Sequence, residues 1–328
     1  MHPPSRPLSR RAVLRAGGAA VVGGLLAVGV ASCGSEFAGL PRLRIGAGGS
    51  QGVYYALGNA LADAWLPSLD LAERPEVRIT AGSVENVALL AKGQADVVFS
   101  AADVAEATLA SAPPAGRAPR ALARIYDDAL QVVVFADSPI TQLADLRGRR
   151  VSIGATDSGV IVMANRVMAA AGLSADKDLT ASTLGIDDSL AALRDGRIDA
   201  FFWSGGLPTG GVTELAGNRP IRLLDLNPLI PTLRREYPVY NVGTIPAGTY
   251  RDAPPVTTLL VRNFLLVPES MADETAEALV SALFGASEQL ARANSAGRAI
   301  DTRSAIGTQP IPLHPGAERY YRSVKVYD

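Results

Sequence analysis

Cysteine and histidine are nearly missing from this chain: 328 residues contain one cysteine and two histidines. One cysteine, Cys33, cannot close a disulfide within the chain. If it is modified, no thiolate remains for catalysis or metal binding. His2 and His314 are too few for a His-rich metal centre. No extended Lys/Arg run follows Arg15, so nucleic-acid binding has no electrostatic footprint. Four arginines and no acid lie in residues 1–32, so a formal charge of −1 for the whole chain leaves −5 for the rest. The uncharged run Ala16 to Val30 falls short of the about 20 residues that a membrane-spanning helix needs.

What that run does offer is an export signal. Ser9-Arg10-Arg11-Ala12-Val13-Leu14 precedes it, and Val30-Ala31-Ser32-Cys33 follows. A twin-arginine start, a short apolar core and small residues before a cysteine predict a Tat-type signal peptide with lipidation at Cys33. The competing reading is a plain anchor helix with a chance cysteine. The shortness of the run and its Gly/Ala content argue against it. Residues 1–33 are therefore expected to be a leader. The mature protein would sit outside the cytoplasm, in the periplasm or at the cell surface, tethered to the membrane by lipid.

The body is long for one core and suits two lobes. It carries a weak internal repeat. In the first copy, Leu43 to Ala47 reads as a strand and Gly48-Gly49-Ser50-Gln51-Gly52 as a loop. Val53 to Trp65 follows with helical spacing, then a strand at Val77 to Thr80, a helix from Val84 to Lys92 and a strand at Ala95 to Ser100. The second copy runs in parallel: strand Val151 to Ala155, loop Thr156 to Gly159, helix Val160 to Ala171, strand Leu179 to Leu184, a helix ending at Arg194, and strand Ile198 to Trp203. Gly93-Gln94-Ala95-Asp96 and Gly196-Arg197-Ile198-Asp199 correspond. Alternating strands and helices predict an α/β fold with a mainly parallel sheet, ligands lying at the carboxyl ends of the strands. Each copy puts a small-residue loop there, before a helix whose N–H groups and dipole suit an anion. Gln131 to Ala136 and Val256 to Val261 read as antiparallel strands crossing between lobes, and Ala272 to Ala293 as a helical tail returning to lobe one.

The chain resembles the TAXI-type substrate-binding subunits of TRAP (tripartite ATP-independent periplasmic) transporters. The resemblance runs from about Leu43 to Leu266. It rests on Ile45 to Gly49, Gly52-Val53-Tyr54-Tyr55, Gly82 to Asn86, Gly93 to Asp96, Asp145 to Gly148, Ser158-Gly159, Ile198 to Phe202, Gly206 to Pro208 and Ile245 to Tyr250. It implies a two-lobed periplasmic-binding-protein-like fold of type II with the ligand cleft between lobes. It also implies capture of a small carboxylate solute, delivered to an ion-gradient-driven permease without ATP or another cofactor. Carried over by motif, the ligand contacts would be Gly48, Gly49, Tyr54, Ser83, Asn86, Ser158, Gly159 and Gly206. Two departures bear on the solute. Val160 stands where the family usually has a hydroxyl, and Asp157 where it more often has a small residue. A carboxylate at Asp157 would repel a second acid group and could hold an ammonium, favouring an amino acid over a bare dicarboxylate, with the expected solute an amino acid such as glutamate, or a dicarboxylate or keto acid. Asp157 is equally readable as a helix cap.

Other motifs are weaker. Gly48 to Gly52 matches G-x-S-x-G, but it follows the first strand, and a triad would depend on His314 as base. A dinucleotide loop at Gly46 to Gly52 lacks an acid at the end of the next strand. The pairs Asp127-Asp128 and Asp187-Asp188 read as solvated or capping acids, with no metal ligand set. Phe202 reads as core, and His314, between Pro312 and Pro315, as a surface residue. The expectation is a solute-binding lipoprotein and not an enzyme, with lobe I at residues 34–134 plus 262–328 and lobe II at 135–261. The alternative is a sensory lipoprotein that passes its ligand to a receptor.

Overall fold

The structure, a computed structural model, describes residues 42–325, which belong to one compact unit. The leader and Cys33 lie outside the described residues. Ten strands form a single mixed sheet: β1 Arg44–Gly46, β2 Glu76–Arg78, β3 Val97–Ala101, β4 Pro119–Phe135, β5 Arg150–Ser152, β6 Thr180–Ser182, β7 Ala200–Gly205, β8 Ile221–Leu223, β9 Asn241–Ile245 and β10 Val256–Pro268. The order is β2-β1-β3-β10-β4-β7-β5-β6, with β8 beside β4 and β9 beside β10. Each half of this row is one copy of the repeat. β1 pairs in parallel with β2 and β3, and β5 in parallel with β6 and β7.

The corresponding Gly-x-x-Asp segments do the same work in both copies. Asp96 accepts hydrogen bonds from the Arg44 backbone N–H and its guanidinium, at 2.8–2.9 Å. Asp199 accepts the equivalent bonds from Arg150, at 2.5–3.2 Å. In each copy the acid ending the second helix's turn locks the first strand beside the third.

Between the copies run two strands much longer than the apolar runs suggested. β4 and β10 pair antiparallel from Pro119–Pro268 to Ala129–Leu260. β4 then changes partner. From Ala129 onward it pairs with β7, and at Val133–Phe135 with β8. Both strands are buried along almost their whole length, which explains their Val/Leu/Ala content. The tail returns as expected. Helix Asp273–Gly285 packs Leu279, Val280 and Leu283 into one core with Leu57, Leu61 and Trp65 of α1 (Val53–Ser68). His314 corrects the sequence reading. It is fully buried, its Nδ1 accepts from the Gly316 N–H at 3.2 Å, and burial holds its pKa below the usual histidine value. Its flanking prolines belong to a segment stitched to β4, where Ala121 exchanges backbone bonds with Pro312 and His314.

Candidate functional site

Four helices begin at one cavity of about 150 Å³. They are α1, α2 (Ser83–Ala91), α4 (Gly159–Ala170, with α3 at Ala102–Ala110 before it) and the helix Ile186–Arg194. Two come from each copy of the repeat. The loops at their starts line the cavity: Gly48, Gly49 and Gly52; Ala81, Gly82 and Ser83; Ser158 and Gly159; Leu184 and Gly185. Glycine caps α1, α2 and Ile186–Arg194 without any side-chain cap bond. First turns, whose N–H groups no helix can satisfy internally, therefore border this space with the positive ends of the helix dipoles, although the N–H groups of Glu85 and Ile161 are taken by Asp157 and Ser158. Two of the glycines are required sterically. Gly82 has φ +123°, which L side chains rarely adopt, and a Cβ on Gly154 (φ +98°) would lie 2.7 Å from Val160.

The two halves touch at the rim. The Glu85 N–H donates to the Asp157 carbonyl at 3.0 Å. A Cβ on Gly159 would come within 3.1 Å of Ser83 Oγ. Ser158 Oγ donates to the Ala155 carbonyl at 2.7 Å and accepts from the Ile161 N–H at 3.3 Å, so it caps α4. Ser83 Oγ accepts from the Ala101 N–H at 3.0 Å. Tyr54 is buried, stacks on Phe99 with centroids 5.1 Å apart, and donates to Asn263 Oδ1.

Six of the nine expected contacts line the cavity: Gly48, Gly49, Tyr54, Ser83, Ser158 and Gly159. Three do not. Asn86 is fully buried with its capacity spent elsewhere. Its amide donates to the Ala47 and Phe99 carbonyls at 2.6 and 2.8 Å, and its Oδ1 accepts from Thr80 at 2.8 Å. It ties α2 to the ends of β1 and β3. Asp157 is exposed on a backbone with φ +62° and contributes its carbonyl, not its carboxylate, to the rim. Gly206 sits one residue past the wall, where a Cβ would meet Val53 and Ala296.

The acid of this site is Asp128 on β4, read from the sequence as a solvated or capping acid and found buried in a strand. It is 6 % exposed, lines the cavity, and its Oδ1 has no hydrogen-bond partner. Burial pushes its pKa up to about 7; Tyr126 and Asn263 pull the other way, while Asp127 and Asp103 add to the rise. A signal was present. Asp128 is in phase with Leu130, Val132 and Val134, an apolar row of one strand face. Ser204, on the neighbouring β7, also lines the cavity with an unpartnered buried hydroxyl. The rest of the wall is apolar, from Val53, Val160, Met163, Ile186 and the Trp203 ring, whose indole N–H is taken by Thr209 at 3.0 Å. Phe202 is core, as expected. A second link joins the halves. Arg166 on α4 donates to Asp103 on α3 at 3.1 Å and to the Tyr240 hydroxyl at 2.7 Å, and Tyr240 donates to Asp103 at 2.7 Å.

Residues 45–324 match the NMT1-like family, most of the chain. The chain belongs to that family. Its fold is shared with solved binding proteins. The binding protein component of an ABC phosphonate transporter from Pseudomonas aeruginosa aligns over 78 % of both chains at 11 % identity, TM-score 0.51. A Xanthomonas citri protein solved with ATP aligns over 86 % of this chain and 98 % of its own at 18 % identity, TM-score 0.50. The periplasmic aliphatic sulphonate binding protein SsuA from Escherichia coli aligns over 86 % and 78 % at 18 % identity, TM-score 0.48. The NMT1-like chain described here thus has the mixed α/β fold of periplasmic binding proteins. Among its described residues no helix is long and apolar enough to cross a membrane.

Proposed function

We propose that this protein is an extracytoplasmic solute-binding lipoprotein, anchored through Cys33, that captures a small carboxylate-bearing solute and hands it to a TRAP-type permease. The observation that carries the binding reading is the convergence of four helix N-termini, two from each repeat copy, on one cavity. Helix N-termini and their dipoles there suit a carboxylate, and charge-assisted bonds to it favour the closed state once solute is present. Two lobes hinge where β4 and β10 cross; the change of partner along β4 at Ala129 supports that position. The TRAP assignment and the lipid anchor rest on the resemblance to TAXI subunits and on the leader. The reading is of a binder and not an enzyme.

The test is a thermal-shift screen of the full chain against amino acids, dicarboxylates and keto acids. A solute that binds only the folded state stabilises it by about 2.7 kcal/mol at a hundredfold excess over Kd. A carboxylate that raises the melting temperature without being consumed supports the proposal. Silence across the panel, or turnover of a bound compound, refutes it.

A further inference from the structure

The cavity brings opposite requirements together. Its helix N-termini call for an anion, while the charged side chain that lines it is the acid Asp128, whose Oδ1 is buried and unpartnered. Among the described residues, no Lys or Arg lines the cavity. Ser204 shares this unmet demand. Leu130 faces Ser204 across the β4–β7 pair, so Asp128, two residues away on the same face, is its diagonal neighbour at roughly 7–8 Å. A buried polar atom without a partner is costly and rare, and two beside one cavity mark groups that a ligand completes.

We propose that Asp128, with Ser204 beside it, seats a protonated amine of the solute, so that the cavity selects zwitterions with one carboxylate and an apolar body. The inference rests on the solute-binding reading above and narrows it. The carboxylate lies against the helix N-termini, the ammonium against Asp128, and the hydrocarbon against Met163, Ile186 and Trp203. A second carboxylate would face Asp128 or the apolar wall with no cation to neutralise it. A keto acid would leave Asp128 unpaired and repelled by the carbonyl oxygen. The amine requirement assigned from sequence to Asp157 therefore moves to Asp128, on the opposite side of the chain's logic: a strand residue rather than a loop residue.

Calorimetric titration of the full chain tests this with four probes at pH 8: leucine, its keto acid 4-methyl-2-oxopentanoate, isopentylamine and glutamate. Leucine is expected to bind at least a hundredfold more tightly than each of the others. Asp128→Asn is expected to cost leucine at least tenfold and to tighten binding of the keto acid, whose carbonyl oxygen the charge repels. Should that variant fold poorly, the wild-type pH series replaces it. Affinity for leucine then rises about tenfold per pH unit until Asp128 is ionised near pH 7, and levels off. Tyr54, Tyr126, Asp103 and Asp127 act on the same carboxyl, with Asp103 itself paired to Arg166. A keto acid that binds as well as leucine, or leucine affinity indifferent to both Asp128→Asn and pH, overturns the amine seat and leaves solute binding intact. Tighter binding of glutamate overturns the apolar body, and equal binding of isopentylamine overturns the carboxylate seat. No binding by any probe overturns the apolar zwitterion, while a carboxylate hit in the thermal-shift screen would keep the solute-binding reading.

Discussion

Asp128→Asn exchanges a buried carboxyl for an amide of nearly the same shape, so the pH dependence of its effect on stability isolates the charge. In the unfolded chain the carboxyl titrates near 3.8, and in the fold near 7, chiefly because burial disfavours the ion. Well below pH 3.8 both states hold the proton, and charge contributes nothing to the difference between variant and wild type. From pH 4 to 7 the unfolded state releases its proton first. Wild-type stability therefore falls across that window relative to the variant, and the gap is constant above it. At about 1.4 kcal/mol per pH unit, a shift of roughly three units makes the full change on the order of 4 kcal/mol. The amide's own unmet hydrogen bonds add an offset of about 1–3 kcal/mol, but that offset does not vary with pH. Urea unfolding of ligand-free protein from pH 4 to 8.5, followed by the fluorescence of Trp65 and Trp203, reads both. A difference between the two proteins that stays flat within about 0.5 kcal/mol over this range would refute a carboxyl whose pKa burial raises.

Ser158→Ala removes the cap of α4 as well as a cavity hydroxyl. It should cost about 1 kcal/mol of stability in urea unfolding, alongside weaker solute binding; a Kd equal to wild type would remove Ser158 from the site. Asn86→Leu removes the amide bonds to the Ala47 and Phe99 carbonyls and the bond from Thr80, whose hydroxyl keeps the Ala47 carbonyl. A loss of about 2–4 kcal/mol is expected by chemical denaturation, with the Kd of the folded fraction changed less than threefold, since Asn86 supports the loops without reaching the cavity. Arg166→Met leaves Asp103, which is fully buried, with Tyr240 as its remaining side-chain partner. That should lower stability by about 3 kcal/mol at pH 8 and by less at pH 4, where Asp103, its pKa raised by burial, takes up a proton.

The repeat was readable because local chemistry fixes it. Glycine-terminated strands, N-terminal Ser and Gly, and the Gly-x-x-Asp turns act within a few residues of themselves, and β1, β3, β5 and β7 lie within a few residues of their expected places. The long strands were only half visible. The stretch of β4 from Pro119 to Asp128 carries Arg120, Arg124, Asp127 and Asp128, a charged pattern that does not mark a strand locally, and its pairing with β10 makes it one. The same limit hid the acid of the cavity. A doublet of aspartates is ordinary in sequence, and its second member is exceptional only because the sheet carries it inward. Asn86 failed in the other direction, since nothing nearby in sequence reveals that Ala47 and Phe99 will claim its amide.

β10 sits between β3 and β4, although about 120 residues separate it from β4 and about 155 from β3. The first copy of the repeat consequently cannot complete its sheet edge until nearly the whole chain has been made. Helix Pro315–Lys325 extends the delay: Tyr321 donates to the Leu122 carbonyl at 3.0 Å. During synthesis the N-terminal half must wait with the β3 edge open, while β5, β6 and β7 can close over a shorter span. Non-local pairing of this kind slows folding and exposes an unpaired edge in the meantime. A growing chain that ends between residues 205 and 256 therefore holds every paired strand of the second copy, while the β3 edge of the first copy still waits for β10.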